Sequence, residues 1–210
     1  MPLLTRPCRS CVACALAFIL ISPLVMSGAL TAVDDQLLRA VGAMRTDIGT
    51  VAMRGISALG DGLIEVPIAF GLMALLWRAI SRAVAWRYFG CAITGELAYV
   101  IAKSIFQRPR PDVIDRLGSA GWHSYPSGHA MLAPIVYSVA LLLLLRVVRG
   151  RAARAGLVIL AVLIPFTIAL SRVYLGVHYP SDVTAALVLG SGWGLLWFGR
   201  DPDGKCVPTG

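Results

Sequence analysis

Apolar residues come in six long runs along this chain, centred on about 10–33, 63–80, 85–103, 129–148, 155–174 and 182–198. At about 1.5 Å of rise per residue, a helix of roughly 20 apolar residues crosses a hydrocarbon layer of about 30 Å. The pattern therefore predicts an all-α, polytopic membrane bundle of about six transmembrane helices, organised as a single domain over 1–210. The first run admits a second reading. Small residues follow it at Ser27-Gly-Ala-Leu-Thr-Ala, as they do after a cleaved signal peptide. A retained first span is the reading preferred here. Between the first and second runs, 34–61 mixes Asp34, Asp35, Arg39, Arg45, Asp47, Arg54 and Asp61 with apolar residues at helical spacing. That spacing predicts an amphipathic helix at the membrane interface, closed by a turn at Gly60-Asp61-Gly62. Glu65 is expected at headgroup level, and Pro165 as a kink in the fifth span. Glu96, inside the third span, is read either as a partner of Lys103 seven residues on or as a carboxyl bonded to a neighbouring helix.

Composition agrees. Of the 210 residues, 58% are hydrophobic and 14% charged, far from the averages of water-soluble domains. The net charge of +8 does not point to nucleic acid, because the cations are scattered among apolar runs and form no stripe. In a membrane protein they set orientation instead. Arg6, Arg9, Arg78, Arg82, Arg87, Arg146, Arg149, Arg151, Arg154, Arg200 and Lys205 share one side of a six-span layout, with Asp201 and Asp203 as the only clear carboxylates there. By the positive-inside rule that side is cytoplasmic and holds both termini. All three histidines, His123, His129 and His178, then face outward. Cys8, Cys11 and Cys14 read as small apolar residues flanking the first span. No second ligand pair follows the Cys8/Cys11 spacing, and Cys91 and Cys206 imply no disulfide framework.

Three outward-facing stretches carry chemistry. In the first, Lys103 is followed by Arg108-Pro-Arg110-Pro111, a cationic cluster stiffened by prolines where the third span ends. Arginine forks match phosphate oxygens, and lysine adds a point charge. In the second, Tyr125-Pro-Ser127-Gly128-His129 opens the fourth span, where unpaired N–H groups attract an anion. Gly128 allows close backbone approach, and Ser127 either caps the helix or donates to phosphate. In the third, Ser171-Arg172 precedes His178 and Asp182. Arg172 holds an anion, His178 attacks or shuttles protons, Asp182 fixes the histidine tautomer, and Gly176 permits a tight bend.

These stretches, read as K-x6-R-P, P-S-G-H and S-R-x5-H-x3-D, resemble in order the tripartite signature of the type 2 phosphatidic acid phosphatase superfamily. That superfamily also contains vanadium haloperoxidases and glucose-6-phosphatase. The motifs span 103–182. Arg108-Pro109 duplicates Arg110-Pro111, so the register rests on the lysine spacing. It selects Arg110 and leaves Arg108 as a substrate-headgroup contact. The resemblance implies that His178 attacks phosphorus, Asp182 orients it, and His129 first protonates the leaving oxygen and then activates water. Lys103, Arg110, Ser127, Gly128 and Arg172 would hold the phosphate. No metal or other cofactor is implied, and His123 is treated as a loop residue. The expected partners are a lipid phosphate or diphosphate and the bilayer, with oligomeric state open. The expected place is a bacterial inner membrane with the site facing outward. Phosphatidate, phosphatidylglycerophosphate, undecaprenyl diphosphate and a lipid A phosphate are the candidate substrates. Three rivals use the same residues: a lipid phosphotransferase, a haloperoxidase, and a non-enzymatic lipid-phosphate binding or transport protein. A pure binder has no need of a nucleophile with an orienting carboxylate.

Overall fold

The computed structural model describes residues 8–121 and 123–199, and among these the only regular structure is helical. Arg6, Arg200, Asp201, Asp203, Lys205 and Cys206 lie outside the described residues. Eight helices follow one another: α1 (Arg9–Met26), α2 (Thr31–Ala43), α3 (Asp47–Ala58), α4 (Gly62–Ala79), α5 (Arg82–Phe106), α6 (Gly128–Leu144), α7 (Arg151–Tyr174) and α8 (Pro180–Phe198). Six of them fall on the six predicted runs. Four, namely α1, α4, α5 and α7, are long and apolar enough to cross a membrane by length and composition alone, and α6 is a shorter apolar helix. The outward faces of these helices carry Leu20, Phe70, Leu97, Ile105, Val162 and Phe166 in exposed positions. Such a surface is stable against lipid and not against water.

Local chemistry explains the boundaries. Cys8 caps α1, its Sγ accepting from the Cys11 amide at 3.3 Å, so the Cys8/Cys11 spacing serves a helix start. Asp61 caps α4 by accepting from Leu63 N at 3.0 Å, and Ser81 caps α5 from Val84 N. Gln107, at φ 45°, ends α5 immediately before the Arg108-Pro109 dipeptide, which cannot continue a helix. Pro134 lacks an amide hydrogen, and α6 accommodates it with a π turn over Pro134–Ser138. Helix α7 runs unbroken across Pro165.

Two expectations are corrected. The first span ends at Met26, because a turn at 27–30 hands the chain to α2, so 27–33 is not membrane helix. The mixed segment is two helices, divided where Thr46 caps α3 by accepting from Gly49 N at 3.0 Å. Helix α2 is also no free interfacial helix. It buries Asp34 and Leu38, and Leu38 joins the core of Met131, Ala169, Val173 and Val183 from α6, α7 and α8. That core lies beneath the polar end of the bundle. There the C-termini of α5 and α7 meet the N-termini of α6 and α8. At the opposite end Arg82 stacks on Trp77, and Arg87 bonds the carbonyl of Trp197 near the end of α8.

Candidate active site

Six of the eight predicted site residues line one cavity of about 520 Å³: Lys103, Arg110, Gly128, His129, Arg172 and His178. The other two lie behind that lining, each next to a residue that belongs to it. Ser127 is fully buried at the start of α6, and Asp182 is fully buried behind His178. Residues up to 79 positions apart are thus brought together by four helix ends.

His178 sits in the short connection between α7 and α8. Gly176, at φ 71°, makes that connection possible. A side chain there would press on Arg45 Nη2 and the Asp115 carbonyl, both 2.7 Å from the Cβ position. The Asp182 carboxylate lies 3.6 Å from His178 Nδ1. Ser124 fills the gap, its hydroxyl bonded to Asp182 and 3.5 Å from the same nitrogen. Asp182 also accepts from the Tyr179 amide at 3.0 Å, which satisfies one free N–H at the start of α8. The carboxylate therefore faces Nδ1, while Nε2 faces the cavity and accepts from Arg110 Nη1 at 3.2 Å. This contact assigns its proton to Nδ1. Burial pushes the imidazole down to about 4; Arg110 and Arg172 add to the effect and Asp182 opposes it. His178 is a neutral base at neutral pH.

The two neighbouring arginines do different work. Arg110 donates to the carbonyls of Gly121 and Val177, both at 2.6 Å, and keeps its guanidinium against His178. Arg108 is buried and does not face the cavity. It donates to Asp34 at 2.9 Å and Asp182 at 2.5 Å, and stacks 3.9 Å from the Tyr179 ring centroid. Burial works against its charge, but Asp182 and Asp34 outweigh burial and hold its pKa above the ordinary arginine value. The expectation of a headgroup contact at Arg108 is therefore corrected: two carboxylates occupy its fork. Asp34 further accepts from the Ser181 amide and hydroxyl, at 2.9 and 2.5 Å. A chain Asp34–Arg108–Asp182–His178 thus ties α2 to the His178 imidazole.

Two buried polar atoms at the site have no protein partner, Ser127 Oγ, beside the lining residue Gly128, and Arg172 Nε. Ser127 makes no side-chain cap bond, which leaves its hydroxyl free for a ligand. The rest of the Arg172 fork is fixed by Ser57 at 2.5 Å and the Ser119 carbonyl at 3.0 Å. Lys103 Nζ donates to Tyr99 Oη at 2.9 Å. Gly128 owes its identity to Tyr99: a Cβ there would lie 2.7 Å from the ring. The close approach at this glycine is thus made by an aromatic ring in the cavity wall. Orphaned donors beside clustered cations suit a doubly charged anion, each oxygen of which can accept several bonds.

A model of the PAP2 superfamily matches residues 84–203. The chain belongs to the PAP2 superfamily. It is 28% identical over 179 residues to phosphatidylglycerophosphatase B of Bacillus subtilis, a match covering 83% of this chain and 86% of that protein. It is 34% identical over 148 residues to the decaprenylphosphoryl-5-phosphoribose phosphatase of Mycobacterium tuberculosis, over 68% of this chain and 75% of that one. The crystal structure of a transmembrane PAP2-type phosphatidylglycerolphosphate phosphatase from Bacillus subtilis superposes with a TM-score of 0.85 at 26% identity, covering 91% of this chain and 96% of that one. Aquifex aeolicus LpxE shares the fold, with a TM-score of 0.60 at 23% identity over 77% and 92% of the two chains. The protein has the transmembrane PAP2 fold, and within this superfamily it is a membrane lipid phosphatase.

Several residues at the site carry no signal in the sequence. Asp34 sits in a segment read for its apolar spacing, and nothing local announces a pairing 74 residues away. Ser124 and Tyr99 are common residue types outside the motifs. His123, read as a loop residue, lines the cavity. Glu96 and Lys103 form no ion pair among the described residues. Glu65, expected at headgroup level, is buried between helices.

Proposed function

We propose that this PAP2 phosphatase hydrolyses its lipid phosphate in two in-line steps through a phosphohistidine on His178, as a single membrane domain that needs no metal. His178 Nε2 attacks phosphorus, and the bond from phosphorus to the leaving oxygen breaks while His129, protonated once the bound phosphate dianion offsets the surrounding Lys103, Arg110 and Arg172, gives that oxygen a proton. Asp182 and Ser124 steady the imidazolium that forms. Water then attacks the phosphohistidine, giving its proton to His129, and the P–N bond breaks to release inorganic phosphate and neutral His178. Arg110 meanwhile exchanges its contact with Nε2 for a phosphate oxygen. Lys103, Arg172, Ser127 Oγ and the first amides of α6 at Gly128 take the remaining oxygens and neutralise the charge, the main task in phosphoryl transfer.

The observation that carries this reading is the neutral, Asp182-backed imidazole facing a cavity lined by Lys103, Arg110 and the unpartnered Arg172 Nε, with the unpartnered Ser127 Oγ next to its lining. The names of the two curated relatives favour a phosphate monoester among the candidate substrates. We place the protein in a bacterial inner membrane with the site outward, on the strength of the arginines gathered at the opposite end of the bundle. The test is phosphate release from a lipid phosphate monoester in detergent with excess chelator. Turnover sensitive to vanadate and abolished in His178→Ala is expected. Release that requires added magnesium, or that survives His178→Ala, overturns the scheme.

A further inference from the structure

A second cavity, of about 480 Å³, lies between α4, α5 and α6. It shares Tyr99, Gly128 and His129 with the phosphate cavity, so the two meet at the proposed general acid. Its lining is mostly apolar, and Val66, Phe70 and Ile93 on its open side are exposed toward the lipid. Two carboxyl groups interrupt that lining, Glu65 and Glu96. Glu65 is only 4% exposed, and its Oε1 is buried with no hydrogen-bond partner. The nearby phenol of Tyr88 does not supply one, because it donates to the Val136 carbonyl at 2.9 Å. A carboxyl oxygen left unsatisfied in an apolar cavity is costly to stability, and its retention asks for a ligand.

The reaction geometry says which part of the substrate arrives there. His129 must touch the leaving oxygen, and His129 is where the cavities join. With phosphorus against His178, the leaving unit extends past His129 toward Glu65 and Glu96, and its hydrocarbon leaves between Val66, Phe70 and Ile93. The unit beside Glu65 must therefore offer a hydrogen-bond donor within a few atoms of the scissile bond.

We infer that Glu65, with Glu96 at the same cavity, selects lipid phosphates whose phosphate is carried on a hydroxyl-bearing unit, a glycerol or a sugar, over those whose phosphate sits on a unit without a free hydroxyl. This deepens the phosphatase reading and rests on it. A hydroxyl satisfies Glu65 whether the carboxyl is ionised or protonated, because the protonated group still presents an acceptor oxygen. An ammonium would need the ionised form and would add a second desolvated charge to an apolar cavity. A neutral polyol meets none of these costs.

The test compares kcat/KM for matched substrates: phosphatidylglycerophosphate, its analogue with the free glycerol hydroxyl replaced by hydrogen, and a third with that hydroxyl replaced by an amine. The hydroxyl form should be preferred over the deoxy form by about tenfold to a hundredfold, the worth of a hydrogen bond to a buried carboxyl. In Glu65→Leu the ratio should collapse toward one, and Glu65→Gln, which keeps an acceptor, should retain part of it. The ratio is read within each variant, so a fraction of unfolded enzyme cancels. Equal rates on the hydroxyl and deoxy forms in the unmodified enzyme overturn the inference without any variant and leave the phosphatase reading standing. A ratio unchanged in Glu65→Leu, or a preference for the amine, overturns it as well. Absence of phosphate release from all three lipids removes the phosphatase reading itself, and the inference with it.

Discussion

Arg108 and Arg110 are two residues apart and chemically identical, yet replacing them should produce opposite phenotypes. Arg108 is enclosed, with side-chain exposures of 7% for itself and 3% and 0% for its partners Asp34 and Asp182. Removing it in Arg108→Met leaves two carboxylates buried without a counter-charge. Loss of one member of a buried ion pair costs about 3–5 kcal/mol, and a chain of this size loses about 2–4 °C of Tm per kcal/mol. The expected fall in Tm is thus about 6–20 °C. Arg108→Lys should recover little, because a single ammonium cannot span both carboxylates as the fork does. Arg110→Ala removes bonds to two carbonyls at the edge of the cavity, each of modest net worth. Its Tm should fall by less than that of Arg108→Met, because its removal also relieves repulsion with Lys103 and Arg172, while kcat/KM falls by about 10²–10³ through the lost phosphate contact. The assay is thermal unfolding in detergent beside phosphate release, on the same preparations. Equal Tm losses for the two variants, or an Arg108→Met enzyme that melts within about 2 °C of the unmodified one, would refute the division of labour.

Two more outcomes follow from the site. With His178 held down to about 4, protonation of this nucleophile should cut kcat/KM as pH falls below about 4; Arg110→Gln, by removing a nearby positive charge, should move that acid limb upward. The same depression has a stability sign. The unfolded chain takes up this proton near 6.5 and the folded one near 4, so His178 costs no stability above 6.5 and progressively destabilises the fold as pH drops from 6.5 toward 4, which pH-dependent melting would read. Gly128→Ala should push the Tyr99 ring, loosen Lys103 and lower kcat/KM by about tenfold or more, and the added Tyr99→Leu should restore part of the loss; a Gly128→Ala enzyme with unchanged kinetics would contradict the packing.

How much of this was legible beforehand follows from range. Hydrocarbon demands about 20 apolar residues per crossing, so six helices announced themselves locally. His129, Arg172, His178 and Asp182 lie within short motifs, and each motif falls at a helix end, so the site could be assembled from three pieces. The breaks depended on single residues instead. The hydropathy of 27–33 continues smoothly past the turn that ends α1, and only the Thr46 cap divides α2 from α3. The longest reach was invisible: Asp34 meets Arg108 and Ser181 through folding alone. Spacing to Lys103 selected Arg110 over Arg108, and the structure adds the physical distinction, since one faces His178 and the other faces two carboxylates. Glu65, near the start of its helix, looked like a residue at the water boundary. Only the packing of α4 against α5 and α6 shows the cavity that it faces.

The central claim is a covalent bond between His178 and phosphorus. Rapid acid-free quenching of the enzyme during turnover of a lipid labelled in its terminal phosphate tests it directly. The account predicts label bound to protein, stable to base and released by acid, mapping to the peptide that contains His178 and absent from His178→Ala. Steady turnover with no protein-bound label, or label that maps elsewhere or persists in His178→Ala, would contradict it.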